Sequence, residues 1–398
     1  MPARLPVSGR IVIVSPFYKP SIGGVEYIAY NVAEGLARRG FEVHVITTPY
    51  DNKWEKIAGQ GVTRINGVIV HRLGILPVRL GYAALMKGFK AVLRRLQPLV
   101  VHSHNLHPHL FQAISLKREL NYKLVAQLHF PVATGIDHVS ARLLYRLVTR
   151  RLRSRQDGVD YFIAHTRSEK EWLVSEGINE DRIVIVPHPF IPDELLTYQP
   201  SSDAHDVFGA DEVIVYISRI HPRKGQDLLV KAVSKVRRER PDLKVMIAGP
   251  VSDKSYAVRL KDLIARLGLE DTIDLVFGPL SEGEKLDVMA TADLFACTPV
   301  SDLHPIVITE AVALGTPVVA TRVGAIPEML ELGLKRVPED KRPLLLSEPD
   351  PDSLASKLVT GLERSESITP EVYRIVVEPY TLSSVLDRLI GVYGLMAK

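Results

Sequence analysis

The sequence predicts an α/β protein of two doubly wound domains, each a parallel sheet covered by helices on both faces. Three observations carry this. The chain has 398 residues, more than one ordinary domain accommodates. Short β-branched runs alternate with helical patterns, which is what a parallel sheet buried on both faces requires. The alternation then restarts after HPFIPDE at 188–194, where two prolines break any regular element.

The elements follow in order. IVIVSPF (11–17) reads as the first strand, followed by an amphipathic helix over 26–39 that Gly40 closes, and by the strand FEVHVITT (41–48). Further strands of the first half are VIVHRL (68–73), LVVHSH (99–104), KLVAQLH (123–129), YFIAHT (161–166) and IVIVP (183–187). The second half repeats the scheme with VIVYISR (213–219), KVMIAGP (244–250), IDLVFGP (273–279), LFACTP (294–299), PVVAT (317–321) and PLLL (343–346). From about residue 371 the chain reads as helical with no later strand. That tail packs back across the first domain or stays on its own, and pattern alone leaves both open. The expected division is therefore 1–190, 191–370 and a tail over 371–398.

Composition bounds the class. An apolar fraction of 46% and a charged fraction of 24% are those of a globular protein with a sizeable core. The single cysteine, Cys297, excludes a disulfide framework within the chain and fits a reducing compartment. No secretory signal is visible, and no apolar stretch approaches the ~20 residues that span a bilayer. The expectation is a cytoplasmic protein whose membrane contact, if any, is peripheral on the inner face. The net charge of +4 hides an asymmetry: residues 1–190 hold 26 Lys+Arg against 14 Asp+Glu, and residues 191–398 hold 24 against 32. A basic half suggests an anionic partner for the first domain.

In an open parallel sheet, ligands bind at the carboxyl ends of strands, where helix N-termini offer free N–H groups. PSIGGVE (20–26) sets Gly23 and Gly24 before a helix, as a close-approach site for a phosphate or sugar or as a plain tight turn. It is not the G-x-G-x-x-G fingerprint, and no G-x-x-x-x-G-K-[ST] loop occurs. SRIHPRKGQD (218–227) puts Arg219 at a strand end and Lys224 five residues on, beside Gly225 and a helix start. This is a diphosphate clamp or a solvated basic turn. Glu310 lies among Val307, Ile308, Ala311, Val312 and Ala313, where a carboxylate needs hydrogen-bond donors. Ribose hydroxyls or backbone N–H groups would supply them.

With these segments in hand, the chain resembles the GT-B glycosyltransferases of family four that use a UDP- or GDP-sugar and retain anomeric configuration. The similarity runs over nearly the whole length, through the glycine pair with Glu26, VVHSH, the His129 strand end, SRIHPRKG, ATRVGAIPE and PLLLSEPDPDSLASKL. The resemblance implies two Rossmann-like domains facing across a cleft, with the acceptor on the first and the nucleotide sugar on the second. It implies that Arg219 and Lys224 hold the donor diphosphate, that Glu310, second acid of an E-x7-E motif, holds the ribose, and that His129 lies near the donor sugar. Gly23 and Gly24 would border diphosphate and acceptor, and Gly278 and Leu280 the base. Leu303, His304, Pro305, Ile306 and Val307 belong to the same donor site. Two departures stand out: the first acid of E-x7-E is Asp302, one methylene shorter, and the interdomain Asn-Gly is replaced by His188-Pro189. Alternatives on the same fold are a nucleotide-sugar-binding protein without transfer, and a nucleotide-sugar epimerase.

The resemblance also implies no metal requirement, because Arg219, Lys224 and helix dipoles can neutralise the leaving diphosphate, and no cofactor is expected beside the nucleotide-sugar substrate. Asp350-Pro351-Asp352 has D-x-D spacing but precedes a helical stretch, where an Asp N-cap is the ordinary explanation. His102, His104, His107 and His109 suggest zinc, yet a strand alternates faces and Pro108 interrupts any helix. For the partner, two basic stripes are available: Lys87, Lys90 and Arg94 beside an apolar row of Leu85, Phe89, Val92 and Leu96, and Arg142, Arg146, Arg150 and Arg153. An ordinary amphipathic helix explains either alone. Together with the basic balance of the first half they favour an anionic lipid or lipid-linked acceptor, with a sugar acceptor and an anionic membrane surface left open. Nucleic acid is not expected, because aromatics are not interleaved.

Overall fold

The computed structural model of the chain describes residues 9–21, 23–51, 53–80, 83–128, 147–187, 191–302 and 305–394. The chain forms two compact units, Met1–His188 with Leu382–Lys398, and Pro189–Thr381.

The first unit contains strands β1 (Arg10–Val14), β2 (Glu42–Thr47), β3 (Gly61–Ile65), β4 (Val68–Arg72), β5 (Ile75–Leu80), β6 (Ala83–Met86), β7 (Val100–His104), β8 (Lys123–Gln127), β9 (Tyr161–Ala164) and β10 (Ile183–Ile185). Eight of them form one sheet in the order β10-β9-β8-β7-β1-β2-β4-β3, and β5 pairs with β6 separately. Every pairing in the large sheet is parallel except β3 with β4. Residues Ile11, Val12, Ile13 and Val14 are wholly buried, as a central strand covered on both faces must be. The antiparallel edge was not expected from the strand pattern. It is made by Asn66-Gly67, both at positive φ (47° and 85°), the backbone a two-residue hairpin turn needs.

One face of this sheet, with Val12, Val14, Val101, Leu124, Ala126 and Phe162, packs against Phe89, Leu93, Leu110, Ala113, Leu116 and Leu152 of the covering helices. Burial of each such large side chain stabilises the unit by about 1.5–3 kcal/mol. The apolar row expected to start at Leu85 is different in detail. Leu85 lies on β6, Gly88 adopts the left-handed conformation, and the helix Phe89–Leu96 buries Phe89, Leu93 and Leu96. The apolar side of this stripe is thus core.

The helix Leu382–Tyr393 belongs to the first unit. Its buried residues Leu382, Val385, Leu386, Leu389, Ile390 and Tyr393 recur at helical spacing on one face. Leu386 sits against Gly35 of the helix Gly24–Arg38, so closely that a Cβ there would meet its Cδ1 at 2.5 Å. The return to the first unit comes later than residue 371. Tyr373, Val376, Val377 and Tyr380 remain in the core of the second unit, and the Ile191 N–H donates to the Tyr380 carbonyl at 2.6 Å.

The second unit holds β11 (Glu212–Ile217), β12 (Leu243–Gly249), β13 (Ile273–Phe277), β14 (Leu294–Cys297), β15 (Val318–Thr321) and β16 (Leu344–Ser347). They pair in parallel in the order β13-β12-β11-β14-β15-β16. Residues of β11 alternate between two cores: Val213, Val215 and Ile217 face one side, Ile214 and Tyr216 the other. The chain runs outward one way from β11 and resumes the other way at β14, so these strands flank the topological switch point.

Candidate active site

The loops leaving β11 and β14 meet at that switch point. After β11 come the 3-10 turn Pro222–Lys224, then Gly225, then the helix Gln226–Val236. Gly225 has φ +64°, and a Cβ on it would lie 2.1 Å from the carbonyl oxygen of Thr298, beyond the end of β14. Only glycine permits both the turn and the approach. Two hydrogen bonds stitch the loops: the Thr298 hydroxyl donates to the Gly225 carbonyl (3.0 Å) and the Val300 N–H to the Arg223 carbonyl (3.0 Å). Lys224 Nζ is thereby brought onto Asp302 Oδ2 as an ion pair, with only 22% and 17% of the two side chains exposed. Arg219 is exposed at the end of β11 and makes no ion pair among the described residues. Its carbonyl is held by the buried Gln226 side-chain amide at 2.9 Å, which also bonds the Ser218 hydroxyl at 2.9 Å.

The helix Ile306–Leu314 follows the β14 loop, with Pro305 as its N-cap residue and Ile306 and Val307 in its first turn. Ile308, Thr309, Ala311 and Val312 are buried, and Glu310 is left half-buried beside them. The partner of Glu310 is a cation rather than backbone. Lys285 Nζ, from the helix Glu282–Thr291, lies 3.4 Å from its Oε2 and 2.8 Å from Glu282 Oε1. Burial pushes the Glu310 carboxyl above its ordinary range, and Lys285 pulls part of the way back. Gly278, at φ +148°, donates its N–H to the Gly249 carbonyl at 3.1 Å. Leu280 packs on the core just before the Ser281–Glu284 capping box that starts the helix of Lys285. His129, Leu303 and His304 lie outside the described residues, as do Arg142 and Arg146.

In the first unit, Gly23 is the extended N-cap of the helix Gly24–Arg38. Glu26, in its first turn, folds back onto Gly23: a Cβ there would meet Glu26 Oε2 at 2.3 Å. Glu26 is buried, and burial raises its pKa. A carboxylate in this first turn already complements the positive end of the helix. The position therefore suits hydroxyl donors better than a second anion.

The residues 22–194 match the family described as Glycosyltransferase Family 4, and residues 199–367 match Glycosyl transferases group 1. The chain belongs to the family-four glycosyltransferases. Among curated relatives, this glycosyltransferase is 27% identical to a component of the phosphatidylinositol N-acetylglucosaminyltransferase of Arabidopsis thaliana, over 91% of this chain and 75% of that one. It is 27% identical to the Homo sapiens protein of the same name, over 96% and 75%. Across a shorter stretch, 43% of this chain and 39% of the other, it is 34% identical to D-inositol 3-phosphate glycosyltransferase of Mycolicibacterium smegmatis. Among solved structures, Anabaena HepE in complex with UDP superposes with a TM-score of 0.71 at 19% identity, over 97% and 100% of the chains. Sucrose-phosphate synthase of Thermosynechococcus elongatus gives 0.69 at 19%, over 97% and 98%. The shared fold is GT-B.

Two features of this glycosyltransferase were not visible in its sequence. Lys285 gave no signal, since a lysine three residues after Glu282 reads as a surface pair. His102 and His104 on β7 and His109 on the helix Pro108–Leu120 are structural. His102 Nδ1 lies 2.8 Å from the Tyr393 hydroxyl, its ring stacks on His104 at 4.5 Å, and His109 Nε2 lies 3.0 Å from the His104 carbonyl. Burial pushes His102 and His109 down to about 3, so both rings are neutral. Among the described residues no three His, Cys, Asp or Glu gather as metal ligands. Asp350 caps the helix Pro351–Arg364, accepting from the Asp352 and Ser353 N–H groups.

Proposed function

We propose that the enzyme transfers a hexosyl or N-acetylhexosaminyl unit from a UDP-sugar to a hydroxyl of a phosphate-bearing, lipid-linked acceptor, with retention at the anomeric carbon. The observation that carries this reading is the convergence of Arg219, Lys224 and Asp302 on the switch point of the second sheet, next to the helix of Glu310. UDP is favoured over GDP because the fold neighbour HepE is described with UDP bound. The acceptor class follows from the relatives named for phosphatidylinositol and for D-inositol 3-phosphate.

In this account Arg219 and Lys224 take the diphosphate, and Glu310 accepts hydrogen bonds from the ribose. Pro305, Ile306 and Val307 present the N-terminus of their helix to the same ligand, and Gly278 and Leu280 border the base. As the anomeric carbon–oxygen bond loosens, charge grows on the diphosphate, where the two cations stabilise it most. They do so without a metal. The acceptor oxygen then attacks from the face the diphosphate leaves, and its proton passes to the departing phosphate oxygen. Glu26 and the Gly23-Gly24 turn hold acceptor hydroxyls. The resemblance assigns His129 to the donor sugar.

The test is turnover. Purified enzyme with UDP-N-acetylglucosamine or UDP-glucose and phosphatidylinositol should release UDP and form a glycolipid whose anomeric proton shows the donor's configuration. Inverted configuration would overturn retention. Tight UDP binding without product on any phosphate-bearing acceptor would favour the non-transferring reading of Asp302.

A further inference from the structure

In the loop after β11, each of the seven backbone carbonyls from Arg219 to Gly225 accepts a hydrogen bond from the protein. Arg219 takes the Gln226 side-chain amide at 2.9 Å. Ile220 takes the N–H groups of Ser252 and Asp253 at 3.1 and 3.3 Å. His221 and Pro222 are engaged within the turn by the N–H groups of Lys224 and Gly225, at 2.8 and 3.1 Å. Arg223 takes the Val300 N–H, Lys224 the Tyr216 hydroxyl and Gly225 the Thr298 hydroxyl. A bare carbonyl oxygen facing a diphosphate would repel it. Engagement with the protein holds these oxygens away from an anion and leaves the cationic side chains to meet it.

Side chains hold three of these carbonyls, and two of the three belong to Arg219 and Lys224. Gln226 is wholly buried. Its orientation is fixed, because the Arg219 carbonyl only accepts and must meet Nε2. The same Nε2 donates to the Ser218 hydroxyl at 2.9 Å. Gln226 Oε1 is then buried without a hydrogen-bond partner among the described residues. A half-satisfied buried amide costs stability, and leucine or methionine would fill the same place without that cost. Tyr216 is likewise buried, and burial holds its phenol well above the ordinary range, so it remains a donor to the Lys224 carbonyl.

We infer that Gln226 and Tyr216 are positioning residues for donor binding, Gln226 acting through Arg219 and Tyr216 through Lys224. The role rests on the donor reading of those two cations. Both side chains are buried beneath the loop and act on backbone rather than on the ligand. Each fixes the main chain from which one cation projects. That cation then meets the phosphate without first being ordered, which is the cost that preorganisation removes. The two assignments are separate, since each buried side chain holds the carbonyl of a different cation.

The experiment is a pair of double-mutant cycles, read by calorimetric titration of the full chain with UDP. Gln226→Met and Tyr216→Phe should each weaken UDP binding about tenfold. In an Arg219→Met background, Gln226→Met should change the affinity by less than about twofold, while Tyr216→Phe still costs its full tenfold. In a Lys224→Met background the pattern should reverse. Tyr216→Phe removes one oxygen from a packed ring, so it carries the test if Gln226→Met melts early. A side chain that only stabilises the fold would lower the thermal midpoint and lose the same affinity in every background. That additive result, or UDP affinity unaltered in both variants, would overturn the role while leaving the donor reading intact. A wild type that binds no UDP would overturn the donor reading, and the role with it.

Discussion

Lys224 and Asp302 form an ion pair that bridges the two loops of the switch point in the second sheet. The shorter acid at this position does not leave a gap; it holds the lysine proposed to meet the diphosphate. Asp302 is then a residue that positions Lys224. Replacing Asp302 by Asn should raise KM for the donor and lower kcat by ~10-fold, while Glu should recover much of the loss. Lys224→Met should cost ~100–1,000-fold in kcat, the size expected for a preorganised charge at a developing anion. Steady-state kinetics on the three variants separate these outcomes.

Glu310 predicts a pH dependence of donor binding. Its carboxyl is raised by burial, and Lys285 pulls it back. A ribose donates to the ionised form, so affinity should fall as pH drops through the raised pKa, by at most ~10-fold per pH unit. In the free protein the sign is opposite: the raised carboxyl makes stability fall as pH rises through the same window. Lys285→Met removes the cation, leaving Glu282 nearby as the remaining charged neighbour, and should move the loss of affinity to higher pH. Calorimetric titration with UDP across pH checks this.

Buried neutral histidines predict acid sensitivity of the first unit. His102 and His109 are pushed to about 3 and His165 to about 4, all by burial. The unfolded chain takes up protons at these sites below the ordinary histidine pKa of about 6.5 while the folded chain does not, so stability is lost as pH falls from there. Each site contributes about 1.4 kcal/mol per pH unit over that window. Urea unfolding at pH 7.5 and 5.5 should show the fall, and His109→Gln should flatten it.

The returning helix is a structural part of the first unit. Leu386→Ala should destabilise it by about 2–5 kcal/mol, because the side chain fills the space over Gly35. Tyr393→Phe should cost about 1 kcal/mol through the lost contact with His102. Thermal or urea unfolding of the two variants measures both.

Much of this was legible in the sequence because parallel strands are buried on both faces. Continuous runs such as IVIV and VIVYI announce β1 and β11 without ambiguity. β3 was not expected because an exposed edge strand, GVTRI, carries no hydrophobic period; only the Asn66-Gly67 turn signals it. The cations of 218–224 could be placed because their strand and helix fix them locally. The partners of Lys224 and Glu310 could not, since both pairings join segments far apart in sequence. The late return at Leu382 was hidden for a similar reason: Tyr373, Val376 and Tyr380 read as one helical tail with residues that pack elsewhere.

The central claim is that the switch point of the second unit binds a nucleoside diphosphate. Its most direct test is the thermal midpoint of the wild type and of Glu310→Gln with UDP, GDP or ADP at saturating concentration. At ~100 times the dissociation constant, UDP should stabilise the wild type by about 2.7 kcal/mol, a rise of roughly 5–10 °C for a unit of this size. The rise should be largely lost in Glu310→Gln and small with ADP. No shift with UDP or GDP, or the same shift in the variant, would contradict the claim.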